Sequence, residues 1–110
     1  MPTIKEVFEA MPAAFKPDAA PGVNAIVQFT MTGDQAADYY VTIAEGTCKV
    51  DEGKHESPTA TLTMDSNDYL SMLSGKLNAQ MAFMQGKLKI SGDMGILMRF
   101  QRFFDMSAAS

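Results

Sequence analysis

Apolar residues early in the chain recur at the spacing of one helix face: Ile4, Val7, Phe8, Met11 and Phe15. Thr3 and Glu6 stand three apart at the start of this run, the pattern of a capping box. Pro12 has no N–H to give to the preceding turn, so it is expected to kink or divide the helix. Residues 16–22 hold two prolines and a glycine and read as a loop. From Val23 the period becomes two. Val23, Ala25, Val27, Phe29 and Met31 alternate with Asn24, Gln28, Thr30 and Thr32, with Ile26 the exception. A reversal near Gly33 leads to a second strand over residues 38–45, where Tyr39, Val41 and Ile43 share a face. Gly46 turns the chain into a third strand, residues 47–52, with Cys48 and Val50 together. After a loop through Pro58, residues 59–64 form a fourth strand with Ala60, Leu62 and Met64 on one side.

The second half changes period again. Asp65 or Ser66 caps a helix carrying Tyr69, Leu70, Met72 and Leu73. Gly75 and Gly86 each follow an apolar run, where a helix end favours a residue that tolerates a left-handed backbone. Asn78 and Asp93 each precede such a run, and their side chains can accept from first-turn N–H groups. Between them Leu88 and Ile90 alternate with Lys87 and Lys89, a strand with one wet face. A closing helix is expected over residues 94–106, thirteen residues and about 20 Å. The order is an α+β domain: three hairpin-linked strands, a fourth, two short helices, a fifth and a last helix. Its helices can cover only one face of the sheet, so the other should be wet.

The segment 72–98 contains Gly75-Lys76-Leu77, a short helix with Ala82-Phe83, then Gly86-Lys87-Leu88, Lys89-Ile90-Ser91-Gly92-Asp93 and the closing helix. This spacing of two Gly-Lys-Leu triplets and a Gly-Asp pair resembles the signature of the sterol-carrier-protein type-two family. The resemblance implies a five-stranded mixed sheet in the order 3-2-1-4-5, with helices packed on one face and an apolar tunnel between sheet and helices. It also implies non-enzymatic binding and intracellular transfer of fatty acids, acyl-coenzyme A esters, sterols or phospholipids. The strand count from periodicity agrees with it.

Composition narrows the alternatives. One hundred and ten residues, 46% hydrophobic and 20% charged, make one soluble globular domain, residues 1–110. A net charge of −4 argues against a nucleic-acid partner, which calls for a basic surface. The single cysteine, Cys48, cannot form an internal disulfide. The N-terminus lacks a secretory pattern and the C-terminus lacks a Ser-Lys-Leu address, so a cytoplasmic location is expected. Ten methionines, seven of them from Met64 onward, suit a surface or cavity that adapts to ligands of varied shape. An ordinary core that uses methionine as filler is the alternative.

No catalytic set emerges. Cys48 and His55 lie seven residues apart, about 23 Å if extended, with no third group in the pattern. One His and one Cys do not build an ordinary zinc site. Residues 65–68 are similar to the start of a calcium loop, but Leu70 occupies the glycine position. Gly86-Lys87-Leu88 lacks the upstream glycine and the Ser/Thr of a phosphate loop. Neither cofactor nor metal is expected.

The expected tunnel lining is Phe8, Met11, Phe15, Phe29, Met72, Leu77, Met81, Met84, Leu97, Met98, Phe100, Phe103 and Phe104. Enclosing about fifteen methylenes at ~0.8 kcal/mol each gives roughly 12 kcal/mol gross, before ordering costs. The arginines that some relatives place near the first helix are missing; only Lys5 and Lys16 stand there, and no arginine precedes Arg99. The ligand head is therefore expected near solvent, with Gln80, Gln101 and Arg102 as candidates, although Arg99 and Arg102 also suit a solvated helix end. The last helix is expected to act as a lid. The partner is a lipid with a long apolar chain or ring system, met through transient membrane contact. Two other readings stay open: an accessory subunit presenting acyl substrates to an acyl-metabolising enzyme, and a homodimerising module.

Overall fold

The computed structural model describes residues 3–104. Helix α1 (Ile4–Ala14) opens on the anticipated capping box: Glu6 N–H donates to Thr3 Oγ1 and Thr3 N–H to Glu6 Oε1, both at 3.1 Å. The backbone N–H of Thr3, then its hydroxyl, holds the exposed Glu6 carboxyl below its usual pKa. Pro12 lies inside α1 without dividing it, and the helix stops two residues later, at Ala14. One face of α1 is buried through Ile4, Val7, Phe8, Met11 and Ala14.

Five strands follow: β1 (Ala25–Thr32), β2 (Ala37–Ala44), β3 (Thr47–Glu52), β4 (Ala60–Asp65) and, after two helices, β5 (Leu88–Gly92). They form one sheet ordered β3-β2-β1-β4-β5, antiparallel except where β1 runs parallel to β4. The mixed sheet and its order are those the resemblance implies. Register explains which residues face the helices. Val41, Val27 and Ala60 lie in one row, Tyr39, Phe29, Leu62 and Ile90 in the next, then Met31, Met64 and Leu88. All of these are buried except Ile90, which is half-buried. The opposite face carries Thr30, Thr42, Thr61, Thr63 and Lys89, and is wetter as expected.

Gln28 departs from that alternation. It belongs to the outer face but is buried, because its amide nitrogen donates to Tyr39 O (3.1 Å) and Gly53 O (3.0 Å). Its oxygen accepts from His55 N–H at 2.8 Å. The side chain thus satisfies the backbone of the β3–β4 loop, as buried polar groups must be satisfied.

Helix α2 (Ser66–Leu73) is capped by Asp65, whose Oδ1 accepts from Asn67 N–H at 2.8 Å. Helix α3 (Ala79–Met84) is capped by Asn78, whose Oδ1 takes two N–H groups, those of Gln80 and Met81. Gly75 (φ +84) and Gly86 (φ +76) supply the left-handed backbone after these two helices. Asp93 Oδ1 accepts from Ile96 N–H at 3.2 Å and starts α4 (Met94–Phe100).

The closing helix is shorter than anticipated. It gives way after Phe100 to a 3-10 turn, Gln101–Phe103. Tertiary contacts end it: Lys16 N–H donates to Phe103 O at 2.7 Å, and Phe104 pairs with Phe15 as an isolated β-bridge. Met106, expected to belong to this helix, lies outside the described residues.

Candidate functional site

Aromatic rings divide the space between sheet and helices. Under α1 the rings are in close contact: Phe8 stacks on Tyr39 (centroids 4.4 Å apart) and meets Phe29 edge-on at 5.1 Å. Phe29 in turn touches Tyr69 at 5.8 Å and Phe100 at 5.2 Å, and Phe100 lies 4.9 Å from Phe104. Phe29, Tyr69 and Phe100 form a wall. On its far side, under α3 and α4, is an open cavity of about 530 Å³. That size lies within the ~300–1,000 Å³ of ordinary small-ligand sites.

Each element contributes according to its pattern. The floor is Leu62 of β4 with Leu88 and Ile90 of β5, inward positions of two neighbouring strands. Met72 comes from α2, Ala79, Gln80 and Phe83 from α3, and Met94, Leu97, Met98 and Phe100 from α4. The polar lining consists of Asn78, Gln80 and the Tyr69 phenol. Burial raises the Tyr69 pKa well above the usual tyrosine value, so this phenol stays protonated and can donate.

Five of the thirteen residues expected at the site are brought together here: Phe29, Met72, Leu97, Met98 and Phe100. The other eight are placed elsewhere. Phe8, Met11, Phe103 and Phe104 are packed in the core, away from the lining. Phe15 and Leu77 are half-buried against that core, Phe15 with its ring 5.7 Å from Phe104. Met81 and Met84 project from α3 into solvent. Of the head-group candidates, Gln80 lines the cavity and Arg102 is exposed outside it. The Gln101 side chain lies outside the described residues. Sequence reasoning passed over Leu62, Tyr69, Asn78, Ala79, Phe83, Leu88, Ile90 and Met94. The strand residues among them could have been found from alternation, since Leu62, Leu88 and Ile90 point to the helix side at the sheet's β5 end.

Cys48 and His55 do not meet. Cys48 shares the helix-side row with Ile43, whereas His55 packs beside Tyr40, a neighbour of Gln28 on the outer side. Burial pushes the Cys48 thiol up to about 11, opposite to what an activated nucleophile needs. Among the described residues no three His, Cys, Asp or Glu side chains gather in a way that would hold a metal ion. No helix among them is long and apolar enough to cross a membrane.

A mixed sheet covered on one face, with an open apolar cavity and few polar groups at it, defines a small lipid-binding domain. Known proteins agree. The profile of the SCP-2 sterol transfer family matches residues 4–105, and the chain belongs to that family. It is 31% identical over 100 residues to Hydroxysteroid dehydrogenase-like protein 2 of Xenopus tropicalis, covering 90% of this chain and 24% of that one. It is 39% identical over 69 residues to Sterol carrier protein 2 of Homo sapiens, covering 63% of this chain and 13% of that one. The solution structure of palmitated SCP2L2 from Aedes aegypti shares the fold, with a TM-score of 0.75 at 24% identity, covering 92% of this chain and 93% of that one. The chain spans about a quarter of the length of the first of these relatives.

Proposed function

We propose that this chain binds one lipid with a long apolar chain or ring system in the α3–α4 cavity and transfers it without catalysing a reaction. The observation that carries this reading is the cavity itself, about 530 Å³ of space with a mainly apolar lining. At the ~30 Å³ that a water-sized group occupies, it has room for about seventeen such groups. Each enclosed methylene contributes ~0.8 kcal/mol before ordering costs, so affinity needs no fixed polar contact. Selectivity is then loose, and the adaptable Met72, Met94 and Met98 make it looser. Fatty acids, acyl-coenzyme A esters, sterols and phospholipids all fit this description. The head group lies near Asn78 and Gln80, with Tyr69 as a donor for a hydroxyl or carbonyl oxygen. A cytoplasmic location fits this role.

The moving wall is α3 rather than the closing helix. Among its six residues only Ala82 is buried, whereas α4 anchors itself through Leu97 and Phe100. An element with few buried contacts opens at lower cost.

Organic extraction of the purified protein, followed by mass spectrometry, is the direct test. Recovery of stoichiometric lipid, together with displacement of a fluorescent fatty acid by unlabelled palmitate, is expected. A protein that carries no lipid and takes up no acyl or sterol probe would refute the reading.

A second reading has one observation in its favour. Relatives named for a hydroxysteroid dehydrogenase-like protein contain this stretch as about a quarter of a longer chain. The domain would then present its lipid to an acyl-metabolising enzyme. Recovery of such an enzyme in stoichiometric amount by affinity capture would favour it.

A further inference from the structure

We infer that the cavity takes an amphiphile with oxygen at both ends: a head group at the mouth, and a neutral hydroxyl or ketone at the inserted end that hydrogen-bonds to Tyr69. This rests on the proposed function and narrows the ligand class within it.

The lining is graded from mouth to interior. Its exposed members are Asn78, Gln80, Phe83, Met94 and Met98, which meet solvent at the opening. Leu62, Tyr69, Met72, Leu88 and Leu97 are buried, and with Phe29 and Phe100 they form the inner end. Among these buried lining residues Tyr69 has the only side-chain oxygen or nitrogen.

That oxygen has no use in the packing of the protein. The Tyr69 ring lies 6.0 Å from the ring of Phe8 and 5.8 Å from that of Phe29, and a phenylalanine would make both contacts. The residue is only 3% exposed, yet no hydrogen bond among the described residues involves its hydroxyl. Nor is any side-chain oxygen or nitrogen sealed among the described residues without a partner. The hydroxyl is therefore not sealed: it opens on the space that Tyr69 lines, the cavity.

Chemistry selects what meets it. In the empty cavity water can serve the phenol. A plain alkyl end displaces that water and leaves the hydroxyl unpaired among apolar groups, which is unfavourable. A ligand hydroxyl or ketone restores the bond, the hydroxyl as donor or acceptor and the ketone as acceptor. A carboxylate does not suit this end. No lining residue is charged, so a carboxylate placed there would lose its hydration with no cation to meet it. It belongs at the mouth, beside Asn78 and Gln80.

The test is displacement of a fluorescent fatty acid by palmitate, by ω-hydroxypalmitate and by the dicarboxylic acid of the same length, in the wild type and in Tyr69→Phe. In the wild type the hydroxy acid should bind at least as tightly as palmitate, and the dicarboxylate about tenfold more weakly or worse. In Tyr69→Phe the hydroxy acid should fall about tenfold or more behind palmitate, because its buried oxygen then has no partner. Palmitate itself should gain up to about tenfold, because no phenol is left unpaired. A merely structural role for Tyr69 would weaken all three ligands together. A second measurement does not depend on the variant folding: the infrared carbonyl band of a bound palmitate with a ketone beside its terminal methyl. In the wild type this band should lie below its position in hydrocarbon solvent. A band at the hydrocarbon position would overturn the inference, as would an equal ratio of hydroxy acid to palmitate affinity in both proteins. Tight binding of the dicarboxylate would overturn the requirement for a neutral inserted end. If palmitate displaces no probe from the wild type, the proposed function itself fails; palmitate binding with equal ratios in both proteins refutes this inference alone.

Discussion

Ala79 offers the sharpest handle on the cavity. It is the first residue of α3, half-buried, in the lining, and follows a cap that does not depend on its side chain. Ala79→Phe places six ring carbons in the cavity, the room of about four methylenes at ~30 Å³ for a water-sized group. In the wild type, affinity for saturated fatty acids should rise by about two- to fourfold per methylene from decanoate onward. It should level off near palmitate or stearate, when about 530 Å³ is filled. In the variant the plateau should come about four carbons earlier. Four excluded methylenes at ~0.8 kcal/mol amount to about 3 kcal/mol gross. After losses from incomplete burial, palmitate should bind ten- to a hundredfold more weakly, and decanoate almost unchanged. Displacement of a fluorescent fatty acid by a chain-length series measures both curves. A folded variant that binds palmitate as tightly as the wild type would refute the assignment of this cavity as the site, as would a flat wild-type series.

Hydrogen exchange should find the α3 amides opening faster than those of α4, with α3 gaining the larger protection when palmitate is added; equal exchange in both helices would contradict α3 as the moving wall. Stability should fall at alkaline pH. Burial raises the pKa values of Cys48, Tyr39 and Tyr69, so the folded state holds protons that the unfolded chain releases. Their contribution is complete below pH 9, is lost as pH rises through the folded values, and in Cys48→Ala the onset should move from near 9 toward the tyrosine range near 10, as followed by urea midpoints across pH. Gln28→Leu should destabilise the fold by roughly 2–4 kcal/mol in urea unfolding, since three backbone groups lose their partner, while fatty-acid affinity stays unchanged because the side chain lies on the other face of the sheet. Phe8→Ala should cost about 3–5 kcal/mol as a core cavity; a much smaller loss would mean that the packing behind the aromatic wall is loose.

What could be read from the sequence was what neighbouring residues decide. Thr3, Asp65, Asn78 and Asp93 cap helices through N–H groups two or three residues away, and β-alternation assigns Val27, Phe29 and Met31 to one face without reference to the rest of the chain. What could not be read depends on distant partners. Gln28 looks like a wet residue until Tyr39, Gly53 and His55 are brought to it. The closing helix looks continuous until Lys16 and Phe15 claim the backbone of Phe103 and Phe104. The expected site residues divide between cavity and core for a related reason. Phe8 and Phe29 are the same residue type and are both buried, and only the position of Phe29 on the wall beside α4 makes it line the cavity. Residue type reports that a side chain leaves water, not whether protein or ligand receives it.

The exposed thioethers of α3 and α4 carry a chemical consequence. Met81, Met84, Met94 and Met98 are open to solvent, while Met11, Met31 and Met64 are sealed in the core. A peroxide would therefore reach these two helices first and convert flexible apolar groups, Met94 and Met98 of the cavity lining among them, into polar sulfoxides, with the buried scaffold left intact. Oxidative stress would silence the opening of this protein long before it unfolded the rest.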